Sequence, residues 1–325
     1  MADALIQRRE ELYDELRETI DLGRDHGVYL DMKIPEEIFE QLKEALTVYI
    51  AKSLRSFYVK DKFVIDENYL TNYEQQILNL PNRTPNGAFH PKRETVVEYN
   101  NLQKTVITAL RKTKILDNCI AIQPCTVRVV SGRKENLDHT RPLATTKLHS
   151  DAWASHIGDA ILGCPMLGDP STSLEFYKPH GISEDFFLPL ENYDEGLKMF
   201  GDKTFLGRAR MGYISICDHA CLHKTSLNEG DIRVSFDFGI VINNKNSLYY
   251  DASTRPRVNL EEYRYEYFDL EKYEKLGEEL FISIEETMEE AQKKYTTSKA
   301  YSRPPLKIID RDIYNKKYNL NHQER

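Results

Sequence analysis

Hydrophobic positions recur along this chain with two different periods, and the change from one to the other divides it. Leu5, Leu12, Leu16 and Ile20 follow helical spacing through an otherwise charged stretch, so residues 3–25 are expected to form an amphipathic helix that stops near Gly27. A second helix is expected to start near Pro35 and to bury Ile38, Phe39, Leu42, Leu46 and Ile50. Residues 60–100 are mixed and turn-rich; the run from Leu80 to Gly87 reads as a loop from its Pro, Asn and Gly content, and a short helix follows around 100–112. From about residue 119 the period becomes two. The segments Cys125–Val130, Lys147–Asp151, Leu174–Tyr177 and Gly212–Ile216 read as strands. The clearest strand is Ile232–Ile240. Val234, Phe236, Phe238 and Ile240 take one of its faces, and Arg233, Ser235, Asp237 and Gly239 take the other. Residues 260–295 return to a helical pattern, and the last 30 residues read as a surface-wrapping or partly disordered tail.

These elements predict a mainly β fold with helical decorations: a barrel or sandwich of short strands flanked by N-terminal and C-terminal α-helices. The 325 residues fit one domain, with helical support over 1–115, a β core over 116–245 and a helical extension over 246–325. Hydrophobic residues make up 40% and charged residues 30%, so a core is affordable without disulfides. The net charge of −8 and the lack of a basic stripe argue against nucleic acid and against anionic membranes as partners. Cys119, Cys125, Cys164, Cys217 and Cys221 have no repeating spacing, which favours free thiols over a zinc knuckle. The first residues lack the pattern of a signal peptide, and no apolar run is long enough to span a membrane, so a cytoplasmic location is expected.

The candidate chemistry sits in the β region. On a strand, His149 and Asp151 would project side by side, and imidazole with a single carboxylate is the ligand mix of non-haem iron(II) sites. His223, 72 residues beyond Asp151, would supply the second imidazole from another strand and leave open positions on the metal. Arg233 and Ser235 follow His223 by ten and twelve residues on one face of the best strand. A guanidinium there can grip a carboxylate through two parallel hydrogen bonds, with the serine hydroxyl adding a third. An inward arginine on an apolar strand is costly without an anion.

The ordered set His149-x-Asp151, His223 and Arg233-x-Ser235, over residues 120–242, resembles the iron(II)/2-oxoglutarate-dependent dioxygenase superfamily. Within it, the segment Thr146–Trp153 is similar to a bacterial small-molecule branch, the StrG-like proteins of streptomycin clusters. The resemblance implies a double-stranded β-helix with His149, Asp151 and His223 holding Fe(II). It also implies that Arg233 and Ser235 bind 2-oxoglutarate as cosubstrate with O2. The reaction it implies is hydroxylation of an unactivated C–H bond, with release of succinate and carbon dioxide. The carboxylate of Asp151 disfavours halogenation; desaturation, ring closure and epimerisation use the same triad. The long interval between Asp151 and His223 suggests an insertion over 178–210, read as a substrate lid or as padding.

Other readings compete locally. His219 rivals His223, but its 14-residue distance to Arg233 suits the clamp less well. His139, His156 and His180 have no partner at ligand spacing, although His156 is near enough in sequence to reach the pocket. Lys147 and Arg128 either point inward, to meet the cosubstrate or an anionic group on a small polar substrate, or snorkel to solvent from the strand; sugar, amino acid, nucleoside and natural-product scaffolds all fit. Trp153 reads as core, and Tyr263, Tyr265 and Tyr267 as helix packing, with a homodimer compatible with the terminal helices. Two alternatives stand beside the oxygenase reading: a β-helix protein that binds metal or ligand without oxidising it, and an interaction protein built on the helices.

Overall fold

The computed structural model describes residues 2–132, 140–154, 158–200, 202–226, 232–247, 268–269, 280–295, 307–310 and 316. Two short helices, α1 (Ala2–Glu11) and α2 (Asp14–Thr19), lead into β1 (Leu22–Asp25) and β2 (Tyr29–Lys33), which pair antiparallel. The single helix expected over 3–25 is therefore broken. Leu12 and Tyr13 are fully buried at the break, and Leu22–Asp25 leaves the helical path because it pairs with β2, a partner that helical spacing does not reveal.

The helix α3 (Glu36–Phe57) begins after Pro35 as expected. It buries Ile38, Leu42, Leu46, Tyr49, Ile50 and Leu54, while Phe39 is only partly covered. Each of these aliphatic side chains contributes roughly 1.5–3 kcal/mol on burial. The helix packs against α4 (Val96–Lys112), which buries Tyr99, Leu102, Val106 and Leu110 toward the same core. Together the two helices cover the outer face of the large sheet. They meet Val234, Phe236, Phe238 and Ile240 of the alternating strand there, as its pattern predicts.

The remaining strands are β3 (Ala88–Phe89), β4 (Cys119–Ile122), β5 (Thr126–Ser131), β6 (Ala160–Gly168), β7 (Leu174–Pro179), β8 (Lys203–Arg208), β9 (Tyr213–Asp218), β10 (Leu222–Thr225) and β11 (Ile232–Ile242). They build two antiparallel sheets. The larger has the central spatial order β9–β6–β11–β5; the smaller has β8–β7–β10, extended by an isolated bridge between His223 and His149. Followed along the chain, β5 lies in the large sheet, the His149 segment in the small one, β6 in the large, β7 and β8 in the small, β9 in the large, β10 in the small and β11 in the large. This exchange between two facing sheets is the winding of a double-stranded β-helix, or jelly roll. The expected mainly β core with helical decorations is present.

Two irregularities lie where β6 meets β11. Pro165, which has no N–H, stands opposite Ser235, and the register shifts between Val234 and Ser235. Gly168 stands opposite Arg233 with φ +86°, and a Cβ there would lie 2.0 Å from the carbonyl oxygen of Ile232. Only glycine fits that crossing.

Two sequence expectations are corrected. Lys147–Asp151 is not a strand: only His149 bridges to a neighbour, and Asp151 opens a 3-10 turn, Asp151–Ala154. The helix over 260–295 is not continuous either. β12 (Phe268–Asp269) pairs with β4, β13 (Leu280–Ser283) pairs with β14 (Lys307–Asp310), and only α6 (Met288–Tyr295) is helical among the described residues there. The helix α5 (Tyr193–Gly196) lies between β7 and β8. Long-range pairing overrides a composition rich in Glu, Lys and Leu. The Tyr263, Tyr265 and Tyr267 positions lie outside the described residues. Of the 178–210 stretch, Lys203–Arg208 pairs with β7 as a strand of the small sheet. All five cysteines are free, and no helix among the described residues is long and apolar enough to cross a membrane.

Candidate metal centre and its cavity

His149 and His223 exchange both backbone hydrogen bonds, His149 N to His223 O at 2.9 Å and His223 N to His149 O at 2.8 Å. Directly paired residues put their side chains on the same face, and the two imidazole centroids lie 4.4 Å apart. The chain turns immediately after this bridge, and the turn brings the Asp151 carboxylate to 3.6 Å from His223 Nε2. One ligand atom from each of His149, Asp151 and His223 lies within 4.8 Å of the others. The pairing expected from sequence is therefore made, by a bridge and a turn instead of by strand parity. His219, the rival ligand, is buried on the preceding turn and stands outside this group.

Several contacts orient the three residues. His149 Nδ1 lies 2.8 Å from the Lys147 carbonyl, which can only accept, so Nδ1 carries the proton and Nε2 keeps its lone pair. The Ser150 hydroxyl, between the two candidate ligands of the His-x-Asp segment, donates to the His219 carbonyl and ties that segment to the β9–β10 turn. The Tyr193 ring of α5 stacks on His149, with centroids 4.4 Å apart and planes 14° off parallel. Behind it, Gly196 passes so near Trp153 that a Cβ would lie 2.6 Å from the indole, and Leu190 N donates to Trp153 O at 2.9 Å. The residues between β7 and β8 thus press Tyr193 onto a candidate ligand.

Burial, and then the nearby His223, push the His149 imidazole down to about 3, so it is neutral and ready to ligate at physiological pH. In the metal-free protein the folded state binds fewer protons at His149 than the unfolded chain, whose imidazole titrates near about 6.5. Stability from this group is complete above that value and is lost as pH falls toward about 3. Urea midpoints of the metal-free protein are therefore expected to fall between pH 7 and 4.5 by more in wild type than in His149→Gln. Parallel losses in the two proteins would contradict this.

A cavity of about 240 Å³ opens between the two sheets and includes His149, Asp151 and His223 in its wall. Ser235 and Asp237, from the polar face of β11, line it as well. Arg233 continues that face by two residues and is fully buried, and Thr225 stands two residues beyond His223 with its buried hydroxyl on the cavity. Arg128 also lines the cavity, but its guanidinium grips Asp237, Nε to Oδ1 at 2.9 Å and Nη2 to Oδ2 at 2.7 Å. Lys147 turns away from the cavity lining to Asp194, at 2.6 Å. The two cations that suggested an anionic substrate are both held by carboxylates of this chain. His180 pairs with Thr204 at the surface, and His139 and His156 lie outside the described residues. Tyr193, Asp237 and His90 of the cavity wall were not singled out from sequence. Asp237 had a signal, its shared face with Arg233 and Ser235; Tyr193 and His90 had none.

No family model matches the chain, and no curated protein does. Among solved structures, the chain is similar to the non-haem alpha-ketoglutarate-dependent carbocyclase SnoK of nogalamycin biosynthesis, with 8% identity over 71% of this chain and 82% of that one and a TM-score of 0.39. It is also similar to a prolyl 4-hydroxylase of Phytophthora capsici, with 10% identity over 76% and 68% and a TM-score of 0.35. A third likeness is to a rice dioxygenase for auxin oxidation, with 12% identity over 88% and 94% and a TM-score of 0.29. At identities and scores this low, the functional reading rests on the chain's own winding and on the three side chains that converge in its cavity.

Proposed function

We propose that the chain is an iron(II)- and 2-oxoglutarate-dependent oxygenase that hydroxylates an unactivated C–H bond of a small polar molecule. The observation that carries this reading is the convergence of His149, Asp151 and His223 at a cavity between the sheets of a double-stranded β-helix. The donor set fits the metal: two imidazoles, one of them neutral with its second nitrogen already engaged, and one carboxylate on a single side.

When bound, iron and 2-oxoglutarate supply the oxidation by dioxygen, with succinate and carbon dioxide released. The chain's own part is to place and protect. His149, Asp151 and His223 would hold the metal, and Arg233 with Ser235 would receive the far carboxylate of 2-oxoglutarate. Phe176, Leu174 and Ile161 give the wall an apolar part beside the reacting groups. Tyr193, carried by the 178–210 stretch, stacks on His149, which supports reading that stretch as a cover for the site within a single oxygenase domain. Desaturation or epimerisation would use the same residues. A non-oxidising binding protein would not need Arg233 and Ser235 on the face that leads to the metal.

The test is an anaerobic titration of metal-free protein with iron(II) and 2-oxoglutarate, read by the visible metal-to-ligand charge-transfer band. Wild type is expected to develop the band. Arg233→Met is expected to need roughly thirty to a thousand times more 2-oxoglutarate, since hydrogen bonds to a charged group contribute about 2–4 kcal/mol together. A folded, iron-supplied wild type without a band sinks the oxygenase reading.

A further inference from the structure

We propose that Arg128 and Asp237 form a substrate-orienting subsite that takes an uncharged group presenting a hydrogen-bond donor beside an acceptor, as an amide does. The inference deepens the oxygenase reading and rests on it for the role given to the bound group. Arg128 is registered opposite Ser235, and Asp237 opposite Thr126, so the two side chains are diagonal neighbours on the cavity face of adjacent strands. Their bidentate pair is closed by a third bond, Arg128 Nη1 to the Asn86 carbonyl at 2.7 Å. The side chains nonetheless keep 20% and 25% of their surface exposed, in the wall that also holds His149 and Asp151.

A guanidinium has five N–H donors, and these bonds use three of them. Each Asp237 oxygen accepts one bond from Arg128 and retains further lone-pair capacity. The pair therefore offers N–H donors next to carboxylate acceptors while carrying no net charge. A group with its own donor and acceptor side by side satisfies both without breaking the pair.

Charge excludes the alternatives. Among the described residues, the charged groups lining the cavity are Arg128, Asp237 and Asp151, besides histidines. An ionic group docking on this pair would have to draw its counter-charge from Arg128 or Asp237 and so open their bond, which strands the partner left behind. Leu143, Ala88 and Ile161 supply apolar wall for the body of the molecule.

The test uses three probes of matched size, benzamide, benzoate and benzylamine, with binding measured by ligand-observed NMR. The protein is loaded with zinc(II) and saturating 2-oxoglutarate, so that no turnover occurs and the metal and Arg233 are occupied. Benzamide is expected to bind wild type at least tenfold more tightly than either ion. The double variant Arg128→Met/Asp237→Leu is expected to lose at least tenfold for benzamide. If that variant does not fold, Asp237→Asn carries the test: it frees the guanidinium, and benzoate is expected to bind it at least tenfold better than wild type. Equal binding of benzoate or benzylamine and benzamide to wild type overturns the subsite, as does benzamide binding that survives the double variant, or benzoate binding unchanged in Asp237→Asn. Benzamide is also titrated into metal-free wild type and double variant. If wild type gives no charge-transfer band yet benzamide binding still depends on the pair, the oxygenase reading fails and the subsite stands.

Discussion

Asp151→Ala is expected to lose iron(II) binding by more than a hundredfold and to show no charge-transfer band at any practical concentration of 2-oxoglutarate. The scale follows from a comparison. Removing a group that merely orients a metal ligand costs about 10–100-fold in affinity, and Asp151 would be a ligand itself. It is also the only carboxylate in the cluster among the described residues, so its loss leaves two imidazoles facing a dication without the carboxylate that offset its charge. The fold is expected to tolerate the change, because Asp151 is half-buried and begins a short turn. Circular dichroism checks the fold, and isothermal titration with iron(II) reads the affinity. A variant that binds iron as tightly as wild type would mean that the three side chains gather for some reason other than a metal.

The site was legible in sequence to the extent that its chemistry travels with spacing. Arg233 and Ser235 could be placed because β11 alternates strictly over nine residues, and alternation alone fixes which side chains share a face. His149, Asp151 and His223 could be grouped from residue type and order. The reason given for their convergence was nevertheless incomplete: a strand over 147–151 would have carried Lys147 inward with them, whereas the chain makes one bridge and then turns, and Lys147 goes to Asp194.

What sequence did not reveal is set by tertiary partners. β6 is an almost continuous apolar run containing Pro165, and β8 and β10 are short; none of them shows a clear period of two. Leu280–Ser283 sits in a stretch dominated by Glu and Lys and becomes a strand because Lys307–Asp310 pairs with it. Asn100 completes its seat, donating to Ile282 O at 2.9 Å and accepting from Ile282 N at 3.0 Å. The role of Arg128 changed for a similar reason. Sequence left open whether it points inward or to solvent, and its neutralisation by Asp237 depends on the register of β5 against β11.

Arg9→Met is expected to destabilise the fold by about 3–5 kcal/mol at neutral pH, the cost of breaking a buried ion pair from one side. Arg9 reaches from α1 into the end of the large sheet, where its Nε and Nη2 bond Asp218 at 2.8–3.1 Å and its Nη1 lies 3.8 Å from Asp159. Both carboxylates are fully buried, and Asp159 is already pushed up by that burial despite the guanidinium beside it. Without Arg9 the two acids face each other with Tyr13, Ser247 and backbone N–H groups as their donors among the described residues, and Asp159 is expected to take up a proton. An acid whose folded pKa rises contributes stability that is present at low pH and lost as pH climbs through that value. The deficit of Arg9→Met should therefore be largest near pH 8 and shrink toward pH 5, whereas a simple packing defect would be constant. The same change should reach the metal. Asp218 Oδ1 accepts from Ala220 N at 2.7 Å and shapes the turn whose His219 carbonyl receives Ser150, the residue between the two proposed ligands of the His-x-Asp segment. Loosening that turn is expected to weaken iron(II) binding by about 10–100-fold, as for other groups that orient ligands. Urea denaturation at pH 8 and pH 5 reads the first effect and iron titration of the folded variant reads the second. A pH-independent deficit would show that the carboxylates do not depend on Arg9, and an unchanged iron affinity would uncouple the N-terminal helix from the site.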